Sequence, residues 1–347
     1  MKKVISIFFM ALLMAACSSQ EEEFDDINQP QEPQQTYTVS FGLGNFDANV
    51  ETRAGSAKTI YGINVWYNKN KDNTYYHYAY GLFDNTNNMS ITLIGGYKYK
   101  FACSIVRDAD AELYYGPYSS NNFSGYAKPF QLNNSSSTAL QNKFIIGEST
   151  YLDGLTSGEA VLKSSSASSG YTTSSIFYPS LERYYGEFAD YEPVSNGKVI
   201  IPVKKTYFGN KVVIKGVSGG TVTASCYIGS NYPYNTVWSL SGIKTDYAAE
   251  GSIYSYYDVY NCWKNEGTLT GTVTFKYTSG RGSWWDLSGS KNIVFKRNVM
   301  TTITINLSPD FSGGSVGVTE EELGDDNEII LKGDNGTLED VTVSPSE

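Results

Sequence analysis

"NMSITLIGGYKYKFACSIV", residues 88–106, alternates apolar and polar positions on both sides of a double glycine. Met89, Ile91 and Leu93 share one face before it, and Tyr97, Tyr99, Phe101, Cys103 and Ile105 share one face after it. A period of two marks a half-buried strand. With "GGY" as a tight turn between the two runs, the segment reads as a β-hairpin. The same alternation recurs in "KTIYGINVWYN" (58–68), "YYHYAYGLF" (75–83), "GKVIIPVKKTYFGNKVVIKGV" (197–217), "GTVTASCYIG" (220–229), "GTVTFKYTSG" (271–280) and "MTTITINLS" (300–308).

Composition agrees with that pattern. The chain holds 29 Tyr and 33 Gly among 347 residues, and Thr, Ser and Val crowd the runs between turns, which favours strands over helices. Beyond the N-terminal segment, roughly 310 residues exceed one typical domain. The expectation is an all-β chain of two successive β-sandwich domains with Greek-key-like strands and little helix. Residues 36–190 form the first domain and 191–310 the second, the break falling in "DYEPVSNGK", Asp190 to Lys198. Short helical candidates lie in "STALQNKF" (137–144) and "SLERYYGEF" (180–188), and two Ser/Asn-rich stretches (118–138 and 164–175) read as long surface loops. Residues 311–347 are acidic, yet contain the apolar runs "EIIL" and "LEDVTV", which read as strands in want of a partner.

The first 16 residues have two lysines, then an apolar run, then small residues before Cys17, the layout of a secretory signal. The apolar run is shorter than the ~20 residues that span a bilayer. Small residues directly before a cysteine resemble a bacterial lipobox, which makes Cys17 the acylated residue of a lipoprotein; an ordinary secretory signal is the alternative. Residues 17–35 are acidic, rich in Gln and Pro, and too poor in apolar side chains to fold, so they read as a tether.

Several kinds of chemistry fall away. A net charge of −10 excludes nucleic acid as the partner, since phosphate neutralisation needs a basic surface. His77 is the sole histidine, set among tyrosines on a strand, and reads as a surface residue rather than a catalytic base. Zinc sites lack ligands at working spacing. "DADAE", Asp108 to Glu112, opens like a calcium loop, but Leu113 stands where the glycine belongs and Ser119 where the bidentate glutamate belongs. Glu182, Glu187 and Asp190 could supply the carboxylate pair of a glycosidase, but their separation is not read from spacing alone. Cys226 and Cys262 are either a disulfide in an oxidising envelope or, like Cys103, small core residues. The expectation is a protein without catalytic residues, metal or cofactor. Of the tryptophans Trp66, Trp238, Trp263, Trp284 and Trp285, the adjacent pair Trp284–Trp285 places one ring outside the core, where it can stack on a sugar or a protein.

One strand stands apart from the others. In "TYTVSFGL" (36–43), Tyr37, Val39, Phe41 and Leu43 share a face, and the strand leads into the polar loop "GNFDANVETRAG" (44–55), where Arg53 is exposed to proteases. Losing such a strand would open an apolar groove bordered by unpaired backbone, which invites a strand from another chain.

The lipobox, the acidic tether, this first strand, "ETRAG", and then "KTIYGINVWYN" and "ITLIGGYKYKFA" together resemble the Bacteroidales fimbrillin family, the subunits of type V pili. The resemblance is clearest over roughly the first 110 residues. It implies a surface-exposed lipoprotein held in the outer membrane through Cys17. A trypsin-like protease would cut between Arg53 and Ala54, residues 36–43 would leave, and the C-terminal segment of the next subunit would fill the groove. Ile329, Ile330 and Leu331, with Val341 and Val343, are the apolar parts of that donor segment. Other fimbrial subunits, the lipid of the membrane, and a host protein or glycan are the implied partners. The alternative is a monomeric, full-length surface lipoprotein that binds glycans.

Overall fold

The computed structural model describes residues 34–44, 59–107, 129–133, 138–156, 160–163, 171–174, 182–216, 220–228, 234–241, 247–248, 252–256, 258–265, 267–278, 287–308 and 314–323. The fold is all-β. The first half runs through β1 (Thr36–Gly44), β2 (Ile60–Asn68), β3 (Tyr76–Phe83), β4 (Ser90–Ile94), β5 (Lys98–Val106), β6 (Gln131–Leu132), β7 (Phe144–Ile146), β8 (Leu152–Asp153), β9 (Ala160–Lys163), β10 (Tyr171–Ser174), β11 (Arg183–Tyr191), β12 (Gly197–Pro202) and β13 (Lys204–Lys205). The second half runs through β14 (Tyr207–Lys215), β15 (Thr221–Ile228), β16 (Tyr234–Ser241), β17 (Tyr247–Ala248), β18 (Ser252–Ser255), helix α1 (Val259–Asn265), β19 (Thr268–Thr278), β20 (Leu287–Lys296), β21 (Val299–Leu307) and β22 (Gly314–Glu322).

Two sheets face each other in the first half, one of three strands in the order β12-β1-β4 and one of six in the order β13-β11-β5-β2-β3-β7. Val39, Phe41, Leu43, Ile91 and Ile201 of the small sheet meet Ile63, Val65, Phe101 and Ile105 of the large one in a single core. The outer face of the six-stranded sheet is covered too: Ile60, Leu82, Ala102 and Tyr185 pack under Phe130, Leu152 and Leu155, and under Val259 of α1. In the second half the sheet β17-β14-β21-β22, which β18 joins along β14, faces the sheet β16-β15-β19-β20. Val212, Ile214, Ile303 and Ile305 close that core against Val273, Phe275 and Phe295.

The turn at "GGY" does not make a hairpin. β4 pairs with β1, whereas β5 pairs with β2 and β11, so the chain crosses from one sheet to the other at Gly95 and Gly96. Alternation tells which face of a strand is buried, and both strands do bury the expected face, but from opposite sides of the core. The crossing is tight: a Cβ on Gly95 would lie 2.9 Å from Tyr37, and Gly96 has a φ of +81°. In place of ladder bonds, the Tyr99 hydroxyl donates to the Ile94 carbonyl at 3.2 Å and accepts from the Ile94 amide at 2.8 Å.

Other expectations also change. Residues 191–205 belong with the first core, because β12 pairs with β1 and β13 with β11. The passage between cores falls at Tyr207 and Phe208, which lie in the first and second core respectively. Neither helical candidate is a helix: "SLERYYGEF" supplies most of strand β11, and residues 138–141 are irregular before β7. Aromatic side chains that are buried on both faces of a sheet override the weak local preference of Leu-Glu-Arg. α1 lies instead in "DVYNCWKN", where the Asp258 carboxylate accepts from the Asn261 amide at 2.9 Å, a regular N-cap. Cys103 and Cys262 are buried thiols, Cys262 in the second core.

Candidate functional site

β1 has partners on both sides, and each of them comes later in the chain. It runs antiparallel to β4, with Val39 opposite Ile91, and parallel to β12, with Phe41 opposite Val199 and Leu43 opposite Ile201. Three further bonds hold it in place: the Phe41 amide to the Met89 carbonyl (2.8 Å), the Thr38 amide to Asn196 Oδ1 (2.7 Å) and the Val203 amide to the Gly44 carbonyl (3.1 Å). Parallel pairing demands a long crossover, and the whole of the first half separates these two partners.

Val39, Phe41 and Leu43 are almost wholly buried, while Tyr37, expected beside them, is only half-buried near the sheet crossing. At about 1.5–3 kcal/mol for each fully buried side chain, the three contribute roughly 5–9 kcal/mol before chain entropy. Phe41 is the largest of the three, edge-on to Phe101 at 4.9 Å between ring centroids and tilted against Phe144 at 5.5 Å. On the other face Gly42 lies beneath Lys198, whose Cε would sit 2.7 Å from a Cβ there, a contact that the flexible lysine relieves by moving, while Thr36 and Thr38 on that face are exposed. Without β1, strands β4 and β12 would stand about 9.5 Å apart, two strand spacings, with facing rows of unpaired backbone groups. One strand fits such a slot.

Cys17, Arg53 and Ala54 lie outside the described residues, as do Ile329, Ile330, Leu331, Val341 and Val343, and so do Asp108–Glu112, Trp284 and Trp285. Of the sequence around the proposed cleavage point, only the ends bear on the site: Gly44 closes β1 and Ile60 opens β2.

His77 is buried, not a surface residue. Its Nδ1 is 2.9 Å from the Gly147 carbonyl, and its ring lies edge-on to Trp66 and tilted against Tyr151. Burial lowers its pKa from the ordinary 6.5. The three grouped carboxylates do not form a pair but each meet a cation: Glu182 meets Arg107 at 3.4 Å, Glu187 meets Lys100 at 2.9 Å and Asp190 meets Lys98 at 3.4 Å. Arg183, on the outer face of β11, was not singled out by its sequence. Its buried guanidinium donates to the carbonyls of Gly154 (3.2 Å) and Leu155 (2.7 Å) and to Ser104 Oγ (3.2 Å), pinning the covering segment to the sheet. Desolvation brings its pKa down to about 9.

No protein-family model matches the chain, and no curated protein does. Its structural neighbours are Bacteroidales adhesin and fimbrial proteins at low identity. It is similar to a candidate adhesin from Bacteroides thetaiotaomicron at 9% identity and a TM-score of 0.39, over 85% of this chain and 100% of that one. The fimbrial anchor protein Mfa2 from Porphyromonas gingivalis gives 8% identity and a TM-score of 0.35, over 84% and 98%. The tip fimbrial protein Mfa3 from the same organism gives 9% and 0.32, over 83% and 100%. The functional reading therefore rests on the geometry of the chain itself.

Proposed function

We propose that this chain is a structural or anchoring subunit of a cell-surface fimbria that supports adhesion, assembled by protease-triggered strand exchange. One observation carries the reading: β1 is the middle strand of its sheet, yet only residues 45–59 join it to the rest of the fold, and Arg53 lies among them. A cut between Arg53 and Ala54 leaves β1 held by non-covalent contacts alone. Its departure opens a slot for one strand with apolar side chains on its inner face. The C-terminal segment, with Ile329, Ile330, Leu331, Val341 and Val343, is the donor to the next subunit in this reading. Acylated Cys17 holds the precursor in the outer membrane, facing outward, and the two halves act as successive sandwich domains. Other fimbrial subunits are the principal partners.

N-terminal sequencing of protein recovered from the native cell surface tests this directly. Assembled material should begin at Ala54, and Arg53→Ala should give a folded monomer that does not assemble. Surface protein that is monomeric and still begins at acylated Cys17 would overturn the proposal in favour of the glycan-binding lipoprotein.

A further inference from the structure

The end of the first sandwich away from the second gathers features that the fold does not require. There β2 and β11 finish and β3 and β5 begin. Tyr67 is the hub of a ring cluster: it stacks on Tyr97 at 5.8 Å and 24°, lies 6.0 Å from Tyr76 and meets Tyr78 edge-on at 5.9 Å. Tyr76 is 53% exposed, the most open tyrosine ring among the exposed large apolar residues of the described chain. Hydroxyl bonds fix the orientation of the cluster and its border, Tyr67 to Glu148 at 2.9 Å and Tyr75 to Asp190 at 3.0 Å.

The backbone is irregular at the same place. β2 and β3 slip in register between Val65 and Trp66, and β11 slips against β5 between Phe188 and Tyr191. Lys71 and Asp190, both non-glycine, have left-handed φ angles of 54° and 58°. Such residues are strained and bulges re-aim side chains, and both collect at binding sites. Here the two strained residues supply the rim: Lys71 pairs with Glu192 at 2.6 Å, and Asp190 pairs with Lys98 at 3.4 Å.

We propose that this tyrosine-capped pole is a carbohydrate-binding site, with the open ring of Tyr76, backed by Tyr67, taking the apolar face of a neutral sugar ring and the Lys98–Asp190 and Lys71–Glu192 pairs bonding its hydroxyls. The inference rests on the adhesive part of the proposed function and names its ligand class. Rigid tyrosines give contact area at little entropic cost, and their amphipathic rings suit a ligand that is apolar on its faces and polar at its edge. The rim holds Lys71 and Lys98 beside Glu192, Asp190 and Glu148, so it offers both donors and acceptors, and its carboxylates do not suit an anion. A polyanion is further disfavoured by the chain's net charge of −10.

The test applies the purified full-length chain to an array of neutral, sialylated and sulfated oligosaccharides, alongside Tyr76→Ala and Asp190→Asn. Asparagine tolerates the left-handed backbone, and Tyr76 is exposed, so both variants should keep the wild-type thermal midpoint. Retention on neutral glycans should fall by about tenfold or more in each variant, as for an anchoring aromatic and a charged bond. The proposal is overturned if no neutral glycan binds, if only anionic ones bind, if both variants bind like wild type, or if the pole mediates self-association that Tyr76→Ala abolishes in sedimentation. Protease-triggered assembly is scored on the same samples. Its survival without sugar binding removes this site alone, and its loss with sugar binding intact removes the strand-exchange reading alone.

Discussion

His77 carries a pH dependence that follows from its surroundings. Because burial lowers its folded pKa below the ordinary 6.5, the folded state favours the neutral ring. Its contribution to stability is thus complete above about pH 6.5 and is lost as the pH falls through the lower folded value, at up to about 1.4 kcal/mol per pH unit. His77→Asn keeps a polar side chain beside the Gly147 carbonyl but does not titrate. Urea midpoints should therefore fall less for the variant than for wild type between pH 7.5 and pH 5.5, and an equal fall would show that His77 titrates alike in the folded and unfolded states. The sequence placed His77 on a strand correctly and misjudged its burial. Alternation along β3 is interrupted by the bulge opposite Val65 and Trp66, and a bulge leaves no mark in a pattern of residue types. Arg183 escaped notice for a related reason: its partners are backbone carbonyls 28 and 29 residues away, which no motif records.

At the scale of elements, many of the longer strands were legible and their sheets were not. Alternating runs gave β1, β2, β4, β5, β14, β15, β19 and β21, because burying one face of a strand needs only a period of two. Which sheet a strand enters depends on partners far off in sequence. That is why β4 and β5 read as a hairpin and β12 as part of the second half. The candidate site was legible as a strand with Val39, Phe41 and Leu43 facing inward, but its position between β4 and β12 depends on a parallel pairing that the sequence does not signal. The structure does allow its anchor to be ranked. Phe41 fills the space between Phe101 and Phe144, so Phe41→Ala should cost roughly 3–5 kcal/mol, whereas Tyr37→Ala, at a half-buried position, should cost less. Denaturant unfolding monitored on the full chain measures both, and equal losses would mean that β1 is not anchored through Phe41.

For the whole molecule, strand exchange makes a demand that cleavage alone does not. Cutting the loop removes a covalent link, but β1 keeps both ladders and its three buried side chains, so a nicked chain should remain folded until something displaces the strand. Preventing departure without preventing cleavage separates the two steps. Thr38 and Thr92 face each other across β1 and β4, both exposed. The bond from the Phe41 amide to the Met89 carbonyl three residues on places them in a closely spaced, non-hydrogen-bonded pair, with Cα atoms about 4.5 Å apart. That separation suits a disulfide. The Thr38→Cys/Thr92→Cys protein, oxidised, should be cut by low-dose trypsin at Arg53 as fast as wild type. It should retain the N-terminal fragment on non-reducing gels and stay monomeric by sedimentation. Adding reductant after trypsin has been inhibited should release the fragment and restore assembly to the wild-type level. If the oxidised, cut protein assembles with β1 still cross-linked to β4, the slot between β4 and β12 is not where subunits join.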